Sequence, residues 1–292
     1  NVVIVSARRT AIGRFLGSLT EVPAAELAAT AVRAALADAG SPPVDEVVFG
    51  HARQAGNGPN SARQVVRRSG LSDETPAFTI NQACASGLKS ILLAAQSIAC
   101  GEADVVVAGG VESMCRTPYL LDRARTGYRL GHGELVDGMY RDGFLCPLCG
   151  LLMGETAEKL ADQYRISREE QDRYAAESQN RCERARKAGH FAAELVAVPF
   201  AKGRLESDEH ARDGVTAESL AKLPPVFRKD GTVHAGNSSG ITDGAAALVL
   251  MSEEKAAGLR PLARFVAGAV VGVDPSTMGI GPVPAIRKLL DD

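Results

Sequence analysis

The stretch Thr79-Ile-Asn-Gln-Ala-Cys84-Ala-Ser-Gly87-Leu-Lys89 decides the fold. Ahead of it, Pro76 to Ile80 reads as a short apolar strand. Behind it, Leu88 to Ala99 reads as a helix, with Leu88, Ile91, Leu92, Ala95 and Ile98 at helical spacing. Gly101 stands just past its end, where a helix stop is expected. Cys84 therefore falls on a strand-to-helix turn among small residues. A nucleophile on such a turn is held on a rigid corner with open space above it. A helix N-terminus turns backbone N–H groups and partial positive charge toward that position, and both favour negative charge on a sulfur. A small buried thiol is the plainer reading of the same residue.

The chain around this turn alternates strand with helix. Val2 to Val5 is a β-branched run that predicts a buried strand. A loop from Arg8 to Thr20 leads to a helix over Pro23 to Ala39, stopped by Gly40. Val44 to Phe49 is the next strand, Asn60 to Ser69 the next helix, ended by Gly70. Beyond the Cys84 turn, Asp104 to Ala108 is a strand, and Gly109-Gly110 reads as a tight turn at its end. This alternation predicts an α/β fold, a mixed and mostly parallel sheet sandwiched between helical layers.

From Arg116 to about His234 charge rises and strands nearly vanish. Thr156 to Tyr164 and Ser167 to Lys187 read as helices, the second opening on the capping box Ser167-Arg-Glu-Glu170. A short helix is expected over Glu218 to Leu223. A long insertion of this kind between sheet strands usually carries function. Ala245 to Met251 returns as a strand, Ser252 begins a helix ending at Gly258, and Leu262 to Val273 is strand-like. A last helix spans Pro282 to Leu290, before the acidic pair Asp291 and Asp292. The expected organisation is an α/β domain of residues 1–115 with 236–260, an inserted and mainly helical domain of 116–235, and the start of another α/β domain at 261–292.

Composition narrows the function. The 292 residues are 45% hydrophobic and 23% charged, those of a water-soluble globular chain. The net charge of −2 gives no electrostatic case for nucleic acid or an anionic membrane as partner. No apolar run is long enough to span a bilayer. Six cysteines lie scattered at 84, 100, 115, 146, 149 and 182, which is no disulfide framework; a reducing compartment fits, and the cytoplasm is expected. Cys146-Pro-Leu-Cys149 is a lone C-x-x-C without the further ligands a zinc site needs, so two loop thiols are expected and no metal. Gly279-Ile-Gly281 lacks the third glycine of a dinucleotide loop.

INQACASGLKS closely resembles the nucleophile motif of the thiolases, roughly N-x-x-C-x-S-G. VSARRTAIGRFLGSL near the start, VVVAGGVESM from Val105, MGETAE from Met153, AGNSSGITDGAAALVLM from Ala235 and GIGPVPAIRK from Gly279 resemble further segments of that family, in the family's order. The resemblance implies the thiolase layered fold, with a loop domain that covers coenzyme A, and a homodimer or homotetramer. It implies Cys84 as the nucleophile that attacks a coenzyme A thioester and carries the acyl group. Acyl-CoA and CoA are then substrates, with no separate cofactor. The family takes its base, oxyanion donors and second cysteine from N-E-A-F, G-H-P and C-x-G-G stretches of its C-terminal half. None of these occurs in the sequence, and the chain is expected to lack that C-terminal part.

The resemblance also carries over substrate contacts. Ser239 in AGNSSG matches a serine that lies against the pantetheine of CoA, with Gly240 beside it. Arg212 and Ser219 match positions near the nucleotide end, and Met153 matches a methionine lining the acyl pocket. Each has a plainer reading, as turn, solvated arginine, or core methionine. Leu152 stands where biosynthetic members often carry histidine, which leaves acyl length open. Two rival readings remain. A ketoacyl-synthase-type condensing enzyme would need a histidine pair, or histidine and asparagine, in its second half. A non-catalytic CoA-ester binder would have no use for a thiol at a helix N-terminus.

Overall fold

The computed structural model describes residues 1–291. The β-branched run at the start becomes strand β1 (Val2–Thr10), followed by the short β2 (Gly13–Arg14). α1 (Ala24–Asp38) begins after Pro23. β3 (Glu46–Gly50), α2 (Ser61–Ser69), β4 (Ala77–Ile80), α3 (Ser86–Ala99) and β5 (Val105–Ser113) follow. The small hairpin of β6 (Tyr119–Leu120) and β7 (Val136–Asp137) precedes α4 (Met153–Tyr164) and α5 (Arg168–Lys187). Then come β8 (Leu195–Val196), β9 (Val198–Phe200), β10 (Gly203–Leu205), α6 (Ala217–Ala221), β11 (Thr242–Ser252), β12 (Ala263–Arg264) and α7 (Pro282–Asp291). Asp291 closes α7, and its neighbour Asp292 lies outside the described residues.

The chain divides into two compact units. The first joins Asn1–Thr117, Phe191–His210 and Ile241–Val266. Its sheet runs in the order β12-β1-β11-β5-β3-β4, with β2 against β11 and β8 against β1. β4, β3 and β5 pair in parallel, whereas β11 pairs antiparallel with both β5 and β1. β1 through β5 and β8 therefore all point one way, and β11 and β12 point the other. Alternate residues of each strand feed opposite faces. Val47, Phe49, Val107 and Val249 join Leu27, Ala31 and Val32 of α1 and Val65 of α2 on one side. Val48, Val106 and Leu250 join Ala94, Ala95 and Ile98 of α3 on the other. The expected α/β layering, sheet between helices, is the one seen.

Four expectations about local structure are corrected. β5 does not stop at Ala108 but runs through Gly109-Gly110 to Ser113. These glycines do not make a turn; they let neighbours in. A Cβ on Gly109 would sit 2.2 Å from the Ala246 carbonyl oxygen and 2.5 Å from the Phe49 ring. Ser252 to Gly258 forms a run of turns, with one helical-type bond from Ala256 N–H to the Ser252 carbonyl, rather than a helix. Of Leu262 to Val273 only Ala263–Arg264 is strand, held antiparallel to Val3 and Ile4. Phe191–His210 lies in the first unit and not with the insertion. Its β8 pairs with Arg9 and Thr10, and Arg9 binds Glu194 at 2.6 Å and Asp208 at 2.8 Å.

The second unit joins Pro118–His190, Ala211–Gly240 and the chain from Ala267 onward. α5 begins as its capping box requires: Ser167 Oγ accepts from the Glu170 N–H, and the Glu170 carboxylate accepts from the Ser167 N–H. The buried Glu158 of α4 accepts from the N–H groups of Thr232 and Val233, at 2.8 to 3.0 Å. Arg168 of α5 reaches the carbonyls of Leu220 and Leu223, both at 2.9 Å, and so ties α6 down. Among the described residues no helix is long and apolar enough to cross a membrane.

Candidate active site

Cys84 is exposed, on a corner between β4 and α3. The corner is strained: Ala83 has φ 49°, the left-handed region an alanine seldom enters. Neighbouring side chains fix it. Asn81 Oδ1 accepts from the Ala83 N–H at 3.0 Å, and Asn81 Nδ2 donates to the Ala52 carbonyl at 3.1 Å. Ser86 Oγ accepts from the Gln82 N–H at 2.8 Å and donates to the Ala83 carbonyl at 2.6 Å. The asparagine and serine of the N-x-x-C-x-S-G pattern thus hold the turn, a role the sequence reading left unassigned. α3 starts at Ser86, which puts the Cys84 sulfur at the positive end of the helix dipole.

Glycines bring α3 down onto the strand ends. A Cβ on Gly50 would lie 2.4 Å from the Ser86 carbonyl carbon and 2.6 Å from the Gly87 nitrogen. A Cβ on Gly110 would lie 3.1 Å from Gly87 Cα. Ser90 Oγ, buried one turn on, donates to the Gly109 carbonyl at 2.8 Å. Cys84, Ala83, Gly87, Gly110, Glu112 and Asp243 line a cavity of about 340 Å³. Such an arrangement can present a thiol to an electrophilic carbon. Cys115, by contrast with the exposed Cys84, is partly buried. Burial, then its hydrogen bond to Asp243, pushes that thiol up to about 11.

Beneath the turn lies a buried group that no motif announced. His51 Nδ1 faces Ser61 Oγ at 2.7 Å. Its Nε2 is 3.4 Å from Glu112 Oε1, out of hydrogen-bonding line. The Glu112 carboxylate accepts instead from the N–H groups of Ala52 and Arg53, at 3.2 and 2.9 Å, and burial raises its pKa. Burial pushes His51 down to about 4. The unfolded chain takes up a proton near pH 6.5 that native His51 refuses until about 4, so stability present at neutral pH drains as pH falls through that window. Urea unfolding at pH 7 and pH 5 is expected to show a loss of about 2 kcal/mol in the parent that His51→Asn does not share. Equal losses in both would remove His51 as the cause.

The other expected site residues fall in the second unit. Ser239 is exposed and Gly240 half-buried, on a loop fixed from below. His234, fully buried, puts Nε2 2.7 Å from Asp172 Oδ1 and accepts the Gly236 N–H on Nδ1 at 3.0 Å, which assigns the ring proton to Nε2. Asn237 Oδ1 accepts from the His234 N–H at 2.8 Å. Gly236 rests on Leu220 and Leu223, so the Ser239 loop and the helix of Ser219 are neighbours. Ser219 is exposed, yet its hydroxyl donates to the Thr216 carbonyl at 2.7 Å within a helix cap. Arg212 is exposed, its N–H bound to Gln179 Oε1 at 3.1 Å. Met153, half-buried, is the first residue of α4. Among the described residues, no group of three or more His, Cys, Asp or Glu is placed to hold a metal ion.

Known proteins resemble this chain along most of its length. Residues 2–254 match the family model described as thiolase, N-terminal domain. An acetyl-CoA acetyltransferase of Pseudomonas aeruginosa is 50% identical over 300 residues, covering 100% of this chain and 76% of its own length. The acetyl-CoA acetyltransferase of Escherichia coli is 50% identical over 299 residues, again covering 76% of that protein. Human mitochondrial 3-ketoacyl-CoA thiolase, solved in complex with CoA, superposes with a TM-score of 0.94 at 44% identity, covering 98% of this chain and 74% of that one.

Proposed function

This chain belongs to the thiolase family, and we propose that it moves acyl groups between coenzyme A thioesters through an acyl-enzyme on Cys84. Its relatives' names give the reaction class, acetyl-CoA acetyltransferase or 3-ketoacyl-CoA thiolase. One observation carries the assignment to Cys84: an exposed thiol on a strained corner ahead of α3, opening onto a cavity walled by glycines.

In the first half-reaction the Cys84 sulfur, having given up its proton, attacks the thioester carbonyl. The bond from that carbon to the CoA sulfur then breaks, and CoA leaves as its thiol, taking up a proton. In the second half-reaction the acyl group passes on. In synthesis it goes to the α-carbon of a second acetyl-CoA, after that carbon has lost a proton. In thiolysis the Cys84 sulfur instead attacks the 3-keto carbon of a 3-ketoacyl-CoA. The bond between carbons 2 and 3 breaks, and acetyl-CoA leaves as its α-carbon takes up a proton. The acyl group then passes to the sulfur of a CoA that has given up its proton. CoA is thereby substrate and product, and the scheme uses no metal or further cofactor.

Ser239, Gly240, Arg212, Ser219 and Met153 are the proposed CoA and acyl contacts. Support comes from the exposure of Ser239 and Arg212 and from the fixed backbone beneath Ser239. An exposed guanidinium suits a phosphate. Ser219 has the weakest support, since its hydroxyl proton is already committed to Thr216. The family's assembly supports a homodimer or homotetramer.

The test is differential alkylation. Acetyl-CoA is expected to protect Cys84 from iodoacetamide while leaving labelling at 100, 115, 146, 149 and 182 unchanged. Equal labelling of Cys84 with and without acetyl-CoA would overturn the assignment.

A further inference from the structure

The Cys146-Pro-Leu-Cys149 segment takes no part in the acyl chemistry, and its geometry is specific. The segment is a tight turn in the second unit. Gly150, with φ 72°, donates its N–H to the Cys146 carbonyl at 2.8 Å, and the Cys146 N–H donates to the Leu151 carbonyl at 2.9 Å. A bridge between Leu145 and Leu152 clamps the ends. Backbone N–H groups of Cys149 and Leu148 point at the Cys146 sulfur, and the Cys149 side chain hydrogen-bonds to it. Leu148, between the two, is 82% exposed, so solutes reach the turn. Two thiols are half of a structural zinc's ligand set, and among the described residues no third His, Cys, Asp or Glu gathers with them.

We propose that Cys146 and Cys149 form a redox-active dithiol that exchanges with low-molecular-weight disulfides, Cys146 attacking and Cys149 resolving. The Cys146 thiolate attacks one sulfur of RS–SR; that S–S bond breaks and RS⁻ leaves with the electron pair. Cys149 then gives up its proton, and its sulfur attacks the Cys146 sulfur of the mixed disulfide, expelling the second RS⁻. Both released thiolates take up the protons that the two cysteines lost. The net change oxidises two protein thiols to one disulfide and reduces RS–SR to two RSH. The order of attack follows from the hydrogen bonds: N–H groups aimed at the Cys146 sulfur stabilise its thiolate and hold its pKa below the usual thiol value.

The experiment incubates the full chain at pH 7 with graded ratios of oxidised to reduced glutathione, followed by acid quench and non-reducing tryptic mapping. Both cysteines lie on the peptide of residues 142–159, because Arg141 and Lys159 bound it. That peptide is expected to lose two hydrogens before the cysteines at 100, 115 and 182 react. In Cys149→Ser a single glutathione is expected to stay trapped on Cys146. In Cys146→Ser, Cys149 is expected to take up glutathione several-fold more slowly. The proposal is overturned if the peptide carries two separate glutathiones, stays reduced while the others react, or is cross-linked to another cysteine. Equal trapping in the two serine variants would likewise overturn the order of attack. Since no acyl substrate is involved, failure here leaves the acyl-transfer assignment standing, and the reverse holds too.

Discussion

Cys84→Ser is expected to cut acyl transfer from acetyl-CoA by roughly ten thousand-fold while leaving the fold intact. The two effects separate because of where the sulfur sits. It is exposed and fills no core space. The hydrogen bonds that hold its corner come from Asn81 and Ser86, not from Cys84 itself. A hydroxyl in its place is almost wholly protonated at neutral pH and is a poor nucleophile without an adjacent base. Urea unfolding should therefore agree with the parent to within about 0.5 kcal/mol. Intact-mass measurement after incubation with acetyl-CoA should show the acetyl adduct on the parent and none on the variant. An adduct of equal yield on the serine variant would place the acyl group elsewhere.

The second large effect comes from removing a void the size of one hydrogen. Gly50→Ala places a methyl 2.4 Å from the Ser86 carbonyl carbon and 2.6 Å from the Gly87 nitrogen. Those are backbone atoms, so no side chain can rotate away, and either the first turn of α3 or the end of β3 must shift. Overpacking of this kind costs about 3 kcal/mol. It also displaces the corner that Cys84 stands on, so acylation should fall further than stability alone explains. Gly272→Ala is the control, because a Cβ there meets nothing within 4 Å. Urea midpoints and the rate of Cys84 acylation, measured on both, decide the matter. Matching behaviour in the two variants would show that the close approach at Gly50 is not maintained in solution.

What could be read from the sequence follows the range of the forces concerned. Local signals held. Ser167 and Glu170 form the capping box their spacing announces, and the helix around Cys84 begins and ends within two residues of expectation. The nucleophile corner was legible because its residues are contiguous. Signals of tertiary origin were not. Gly109-Gly110 looks like a turn in one dimension, and only the Phe49 ring and the Ala246 carbonyl show why a strand needs glycine there. The apolar run Leu262 to Val273 has strand composition, but only Ala263 and Arg264 find a partner strand. The polar stretch Phe191–His210 looked like insertion because the sequence does not name Arg9 as the residue it binds. His51 and Glu112 stand in no motif, because burial, not spacing, sets their chemistry.

The central position of β11 bears on how this protein is made. β1 and β5 both pair with β11, and not with each other, yet β11 is encoded only from Thr242. A ribosome that has finished β5 at Ser113 needs on the order of ten seconds more to deliver β11. For that interval Val2, Val3, Val106 and Val107 belong to strands with an open hydrogen-bonding edge, the kind of edge that recruits foreign strands. The nascent chain thus keeps these edges open for as long as the inserted region is being translated, and slower elongation there would prolong its dependence on chaperones.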